Sequence, residues 1–187
     1  MREKDAAEAC ELLTPPAAGD GGLGAEFGPD DEPMLAAVHL SVRVDMKIED
    51  RYDLERFVTA QSHCYEQACT ELSEGVKRSH WMWFIFPQLK GLGHSAMSNL
   101  YSISSLEEAE AYSRHTVLGR RLRNCTELVM AVEDRSIEEI FASPDDAKFR
   151  SSMTLFACTS QENKIFKDAL QKYFAGKPDQ LTIGRLR

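Results

Sequence analysis

The chain has 187 residues, 43% of them apolar, which suits one domain with an extension and suffices for a hydrophobic core. Its formal charge is -8, and residues 1–50 carry 4 basic and 12 acidic side chains, leaving 18 of each sign in residues 51–187. A charge-balanced domain is poorly suited to nonspecific nucleic-acid binding, which draws on phosphate neutralisation by Lys and Arg.

The first residues, MREKDAAEACELL, alternate in charge and lack the apolar core of a signal peptide. Residues 14–33 are rich in Gly, Pro and acid, and bury too little apolar surface to offset the entropy of ordering the backbone. The sequence therefore predicts an acidic, largely disordered leader over residues 1–50 and a helical domain over 51–187. Inside the leader, Val38, Leu40, Val42, Val44, Met46 and Ile48 alternate with polar residues. That is the period of a short strand over 38–48, and no partner strand is legible later in the chain.

Asp53 is placed to cap a helix through about Glu74, with Leu54, Phe57, Val58, Tyr65, Ala68 and Leu72 on one face and Gly75 at the stop. Trp81, Phe84 and Ile85 share a face of a second helix that Pro87 ends. Ser105 and Glu108 form a capping-box pattern before a short helix ending near Tyr112. A longer helix is predicted over 117–133, and Ser136 with Glu139 starts another short one. Ser143 reads as the N-cap of a helix to about Cys158, with Pro144 in its first position and Asp145 and Asp146 facing its positive end. A last helix runs from Glu162 to Ala175, closed by Gly176 and Pro178. The fold class is all-α, a compact irregular multi-helix bundle.

The five cysteines, Cys10, Cys64, Cys69, Cys125 and Cys158, are odd in number and contain no CxxC pair. That pattern fits reduced thiols in a cytoplasmic or nuclear compartment, the cytoplasm first, and gives no zinc signature. No metal and no cofactor is implied. The longest apolar run, Trp81 to Phe86, is far below the roughly 20 residues that span a bilayer, so no membrane partner is expected.

Three stretches carry the polar side chains of interest. Lys77 to Ser95 holds both tryptophans, two histidines and a Gly-rich turn. Within it, Lys77, His80, Gln88 and Ser95 surround an apolar patch, the mix expected of a small-molecule pocket. The aromatic residues there also read as ordinary core. Arg114 to Arg123 clusters four arginines with His115 at a helix start, where backbone N–H groups and Arg forks suit a phosphate or carboxylate. The bland alternative is a solvated basic face. Lys148 to Phe156 places hydroxyls inside a helix, with Ser152 one turn from Lys148. Such hydroxyls more often bond back to the helix than act as nucleophiles.

The runs SHWMWFIFPQLKGLG, AYSRHTVLGRRLRNC and SPDDAKFRSSMTLFA resemble, in this order, a bacterial and fungal family called domain of unknown function 1810. The resemblance covers the chain from about Asp53 to its C-terminus and implies a small all-helical domain. Matched by position, the family's polar motif falls on Lys77, Ser79, His80, Gln88, Gly91 and Gly93 in the first run. In the second it falls on His115, Gly119 and Arg121, and in the third on Asp145, Lys148, Ser151, Ser152 and Thr154. The family pattern has Pro after the second histidine where this chain has Thr116. Some members carry a calpastatin label, which a chain without long disordered repeats does not support.

Two readings of function follow. In the first, the domain binds or acts on a small anionic ligand, phosphorylated or nucleotide-like. Lys77, Arg121 and Lys148 hold the anion, His80 serves as general acid or base, and Gln88, Trp81 and Trp83 orient the remainder, with Ser79, His115 and Ser152 as further ligand contacts. In the second, the domain is a protein-interaction module anchored by exposed aromatics. Convergence of the lysines, His80, Gln88 and Arg121 on one concave site separates the two.

Overall fold

The computed structural model describes residues 50–159 and 163–186. The predicted leader and its 38–48 strand lie outside the described residues. The chain divides into two units, Met1–Asp53 and Leu54–Arg187, and the described helices lie in the second. Among the described residues there are ten: α1 (Glu55–Ser62), α2 (Tyr65–Ser73), α3 (Met82–Ile85), α4 (Ala96–Leu100), α5 (Leu106–Arg114), α6 (Leu118–Ala131), α7 (Ile137–Phe141), α8 (Asp145–Ala157), α9 (Lys164–Phe174) and α10 (Gln180–Leu186). The expected all-α class holds. None of these helices is long and apolar enough to cross a membrane.

Two helices organise the packing. α6 touches α2, α3, α5 and α9, while α8 touches α5, α7, α9 and α10. α6 buries one stripe, Leu118, Leu122, Cys125 and Val129, as an amphipathic helix should. α8 is different, because every residue from Ser151 to Phe156 is buried. Two of its hydroxyls have partners. Thr154 donates to the Arg150 carbonyl at 2.8 Å, and Ser151 shares a 2.7 Å hydrogen bond with Thr182 of α10.

Aromatic rings fill the space around α8. Phe86 meets Phe149 edge-on at 5.0 Å, and Phe149 stacks on Phe141 at the same distance. On the other side, Tyr112 packs against Phe57 at 5.1 Å and Phe156 at 5.4 Å. Such pairs add to the stabilisation that ring burial already supplies.

Several predicted boundaries need correction. The single helix expected over 53–74 is two, broken at His63 and Cys64. The break lets α1 pack on α3 while α2 packs on α6. Asp53 lies in the left-handed region at φ 51, and Leu54 stands in the cap position. The Trp81 helix is a single turn, because Arg78, Ser79 and Trp81 are drawn onto the carboxylate of Glu71 before it. Ser143 is not the cap of α8: the first amides of that helix, at Asp145 and Asp146, bond to the Ala142 carbonyl at 2.9 and 3.1 Å. The Ser143–Pro144 bond is cis. The C-terminal helix α10 was not anticipated, since its buried face rests on one residue, Thr182.

The capping boxes divide. At α7 the box is complete, with Ser136 and Glu139 exchanging both bonds. At α5 only Ser105 plays its part. The Glu108 carboxylate instead accepts the Ser104 amide at 2.8 Å and the Arg56 guanidinium at 2.6 Å, tying α1 to α5.

Between α3 and α5 the chain makes an excursion that carries α4. The Ile103 amide donates to the Gln88 carbonyl and the Lys90 amide to the Ile103 carbonyl, both at 2.8 Å, closing a parallel bridge between Leu89 and Ile103. Gly91 turns the chain at φ +87, a conformation other residues rarely adopt, and the Arg185 guanidinium of α10 rests against it.

Candidate functional site

The segment between α2 and α3 is held by one carboxylate. Glu71, 4% exposed, accepts the amides of Arg78 and Ser79, the Ser79 hydroxyl at 2.6 Å and the Trp81 indole N–H at 2.9 Å. Burial pushes its pKa up, but these donors outweigh burial and bring it down to about 2. Ser79 and Trp81 are thereby fixed. Trp81 is 1% exposed and packs between Phe86 and Phe141. His80, between these two fixed residues, is exposed.

Beside this staple lies a charged cluster. Lys77 Nζ is 2.7 Å from Asp145 Oδ2, and Lys148 Nζ is 2.7 Å from Asp145 Oδ1, so one carboxylate bridges two ammonium groups. Burial raises the Asp145 pKa and the two lysines lower it by more, so the net shift is downward. Lys77 also donates to the Ser79 carbonyl and lies 5.2 Å from the Trp81 ring centre. Lys148 lies 5.2 Å from that of Trp83. Trp83, Gln88 and Lys148, together with Met82, Phe86, Ser98 and Tyr101, line a cavity of about 10 Å³. That is room for about one water molecule.

The structure thus gathers Lys77, Trp83, Gln88 and Lys148, with Ser79 and Trp81 behind them. Ser152, on the same helix as Lys148, is fully buried, and its hydroxyl has no partner among the described residues. Lys148 reaches Asp145 rather than Ser152. His115 and Arg121 stand at the start of α6, in different company. Arg121 donates to Gln61 Oε1 at 3.3 Å and covers the Tyr65 ring at 4.5 Å. None of these partners is shared with Lys77 or Lys148. His115 Nδ1 accepts the amides of Val117 and Leu118, each at 3.3 Å, and so caps α6. His115→Ala should lower stability by about 1 kcal/mol, as loss of a cap does, which urea titration would register. An unchanged midpoint would deny the cap its role.

Gly119 explains its own place in the second run. A Cβ there would sit 2.0 Å from the Ser113 carbonyl oxygen, so only glycine lets α6 approach the end of α5. Reading the sequence for pockets missed Asp145 as a site residue, although its spacing of three from Lys148 on one helix was available as a signal. Glu71 carried no such signal, because its donors arrive from a loop.

The match to known proteins decides the family. A model described as "Protein of unknown function (DUF1810)" matches residues 51–186. The chain belongs to the DUF1810 family. The conserved hypothetical protein Rv1873 from Mycobacterium tuberculosis, solved by crystallography, is 54% identical with a TM-score of 0.72. The alignment covers 73% of this chain and 98% of that one. No curated protein matches. Within this DUF1810 domain the three motif runs have separate physical settings. The first and third meet at the bridged lysines, and the second builds the α5–α6 junction.

Proposed function

We propose that this domain binds a small anionic ligand at the Lys77–Asp145–Lys148 cluster. The supporting observation is the sharing of one carboxylate by two lysines. The three groups sum to one positive charge, beside the face of Trp83 and the amide of Gln88. In this reading Lys148 moves from Asp145 to the anion and bares the Trp83 ring, since the cavity of about 10 Å³ admits only water as it stands. Lys77, 9% exposed at its side chain, stays in place as the fixed cation. Trp83 covers an apolar or ring portion of the ligand, and a phosphorylated or nucleotide-like compound has both parts. Exposed His80 is the group available for proton transfer. Arg121 has no part in the site, contrary to the sequence expectation that it joins the anion. The rival reading, an interaction module anchored by aromatics, loses Trp81 to the core.

The test is a thermal-shift series with inorganic phosphate, pyrophosphate and nucleoside monophosphates. A ligand at about 100 times its Kd adds roughly 2.7 kcal/mol of stability, a readable upward shift. Lys148→Gln should abolish that shift while leaving the unliganded melting temperature nearly unchanged. An equal shift in the variant, or none with any anion in the wild type, would reject the site.

A further inference from the structure

A second site lies on the opposite kind of chemistry, between α2 and α6. A groove of about 430 Å³ runs there, lined by Tyr65, Glu66, Cys69, Thr70, Asn124 and Leu128, among others. Cys69 is half-buried in its wall, and its sulfur accepts a hydrogen bond from Asn124 Nδ2 at 3.7 Å. The same amide group donates to the Tyr65 hydroxyl at 2.9 Å. Cys125, the next residue after Asn124 and buried in the core behind the groove, interacts with Cys69 across the packing of α6 on α2. A soft nucleophile, two polar groups that steady it and a second thiol therefore meet at one open cleft.

We propose that Cys69 is an oxidation site for a small hydroperoxide entering this groove, with Cys125 as the resolving thiol. The Cys69 sulfur, as thiolate, attacks one peroxide oxygen. An S–O bond forms, the O–O bond breaks, and the departing oxygen takes up a proton and leaves as water or an alcohol. Cys125 then attacks the sulfenyl sulfur. The S–S bond forms, the S–O bond breaks, and hydroxide leaves with the Cys125 proton as water. Two thiols lose two electrons, which the peroxide takes up.

The electrostatics agree with this assignment of roles. The interaction with Cys125 pulls the Cys69 thiol well below its ordinary range. It does so against burial, with help from Tyr65 and Asn124 and opposition from Glu66. The same interaction, with burial, drives Cys125 upward despite Arg121. Cys64 is pushed up to about 11 by burial, against the pull of Arg121, and Cys158 is raised by burial. Of the pair, Cys69 lines the groove while Cys125 is buried behind it, so a peroxide in the groove meets Cys69 first.

The experiment treats the reduced full-length chain with substoichiometric hydrogen peroxide and maps the products by peptide mass spectrometry. The wild type should yield a Cys69–Cys125 disulfide. Cys125→Ser should instead yield a sulfenic acid at Cys69, trapped by dimedone, and Cys69→Ser should leave Cys125 reduced. Circular dichroism confirms that each variant is folded before treatment. Asn124→Ala should raise the pH midpoint of Cys69 alkylation while leaving that of Cys158 in place. Oxidation of exposed Cys158 ahead of Cys69 would overturn the proposal. So would a Cys69 that oxidises in the wild type without ever joining Cys125.

Discussion

Trp81→Ala is expected to destabilise the domain by about 3–5 kcal/mol, the range for truncation of a buried aromatic ring. The ring is 1% exposed, fills the space between Phe86 and Phe141, and uses its N–H on Glu71. Deleting it opens a cavity and removes one donor from a buried carboxylate, two costs in the same direction. His80→Gln provides the contrast. That side chain is exposed beside Trp81, so its replacement should leave the denaturation midpoint within the small range of surface changes, about 0.5 kcal/mol. Urea denaturation of the pair reads both. Equal losses would mean that His80 supports the fold, and the proposed site would lose its acid–base group.

Glu71 gives the second large effect. Glu71→Ala strands the Arg78 and Ser79 amides and the Trp81 indole N–H, which share this one acceptor. At roughly 1–3 kcal/mol for each buried donor left unsatisfied, a total near 4 kcal/mol is expected after partial rehydration. The same residue should be visible in the acid limb of stability. Its folded-state pKa, about 2, is depressed from 4.5, so the ionised form is preferred in the native state. The stabilisation is complete above about pH 4.5 and is lost as pH falls toward 2. Melting curves across that window should fall more steeply for the wild type than for Glu71→Gln. Parallel curves would place the acid sensitivity elsewhere, with Asp145 as the next carboxylate of lowered pKa.

Helices that obey local rules could be read from the sequence. α7 announces itself by Ser136 and Glu139, and α6 by its stripe of Leu118, Leu122 and Val129, because caps and amphipathic faces lie within one turn or a few. The division of α1 from α2 could not be read, since its cause is the different helix each packs against. The site divided along the same line. The two lysines and Trp83 stand in runs whose composition is unusual, and the fold brings those runs together. Arg121 stands in an equally unusual run, yet Gln61 and Tyr65, about 60 positions earlier in the chain, claim it. Glu71 and Tyr65 have ordinary neighbours in sequence, and their importance arises wholly from tertiary contact.

The enclosure of α8 bears on how the molecule breathes. A surface helix can fray toward water while the remainder of a domain persists, so its amides exchange with solvent through small local openings. From Ser151 to Phe156, α8 has no such outer side, with α5, α7, α9 and α10 ranged about it. Deuterium can reach those six amides only when neighbouring helices separate. Their exchange rates are therefore a direct gauge of global unfolding, and a ligand or an oxidised thiol that stabilises any part of the bundle is registered there first.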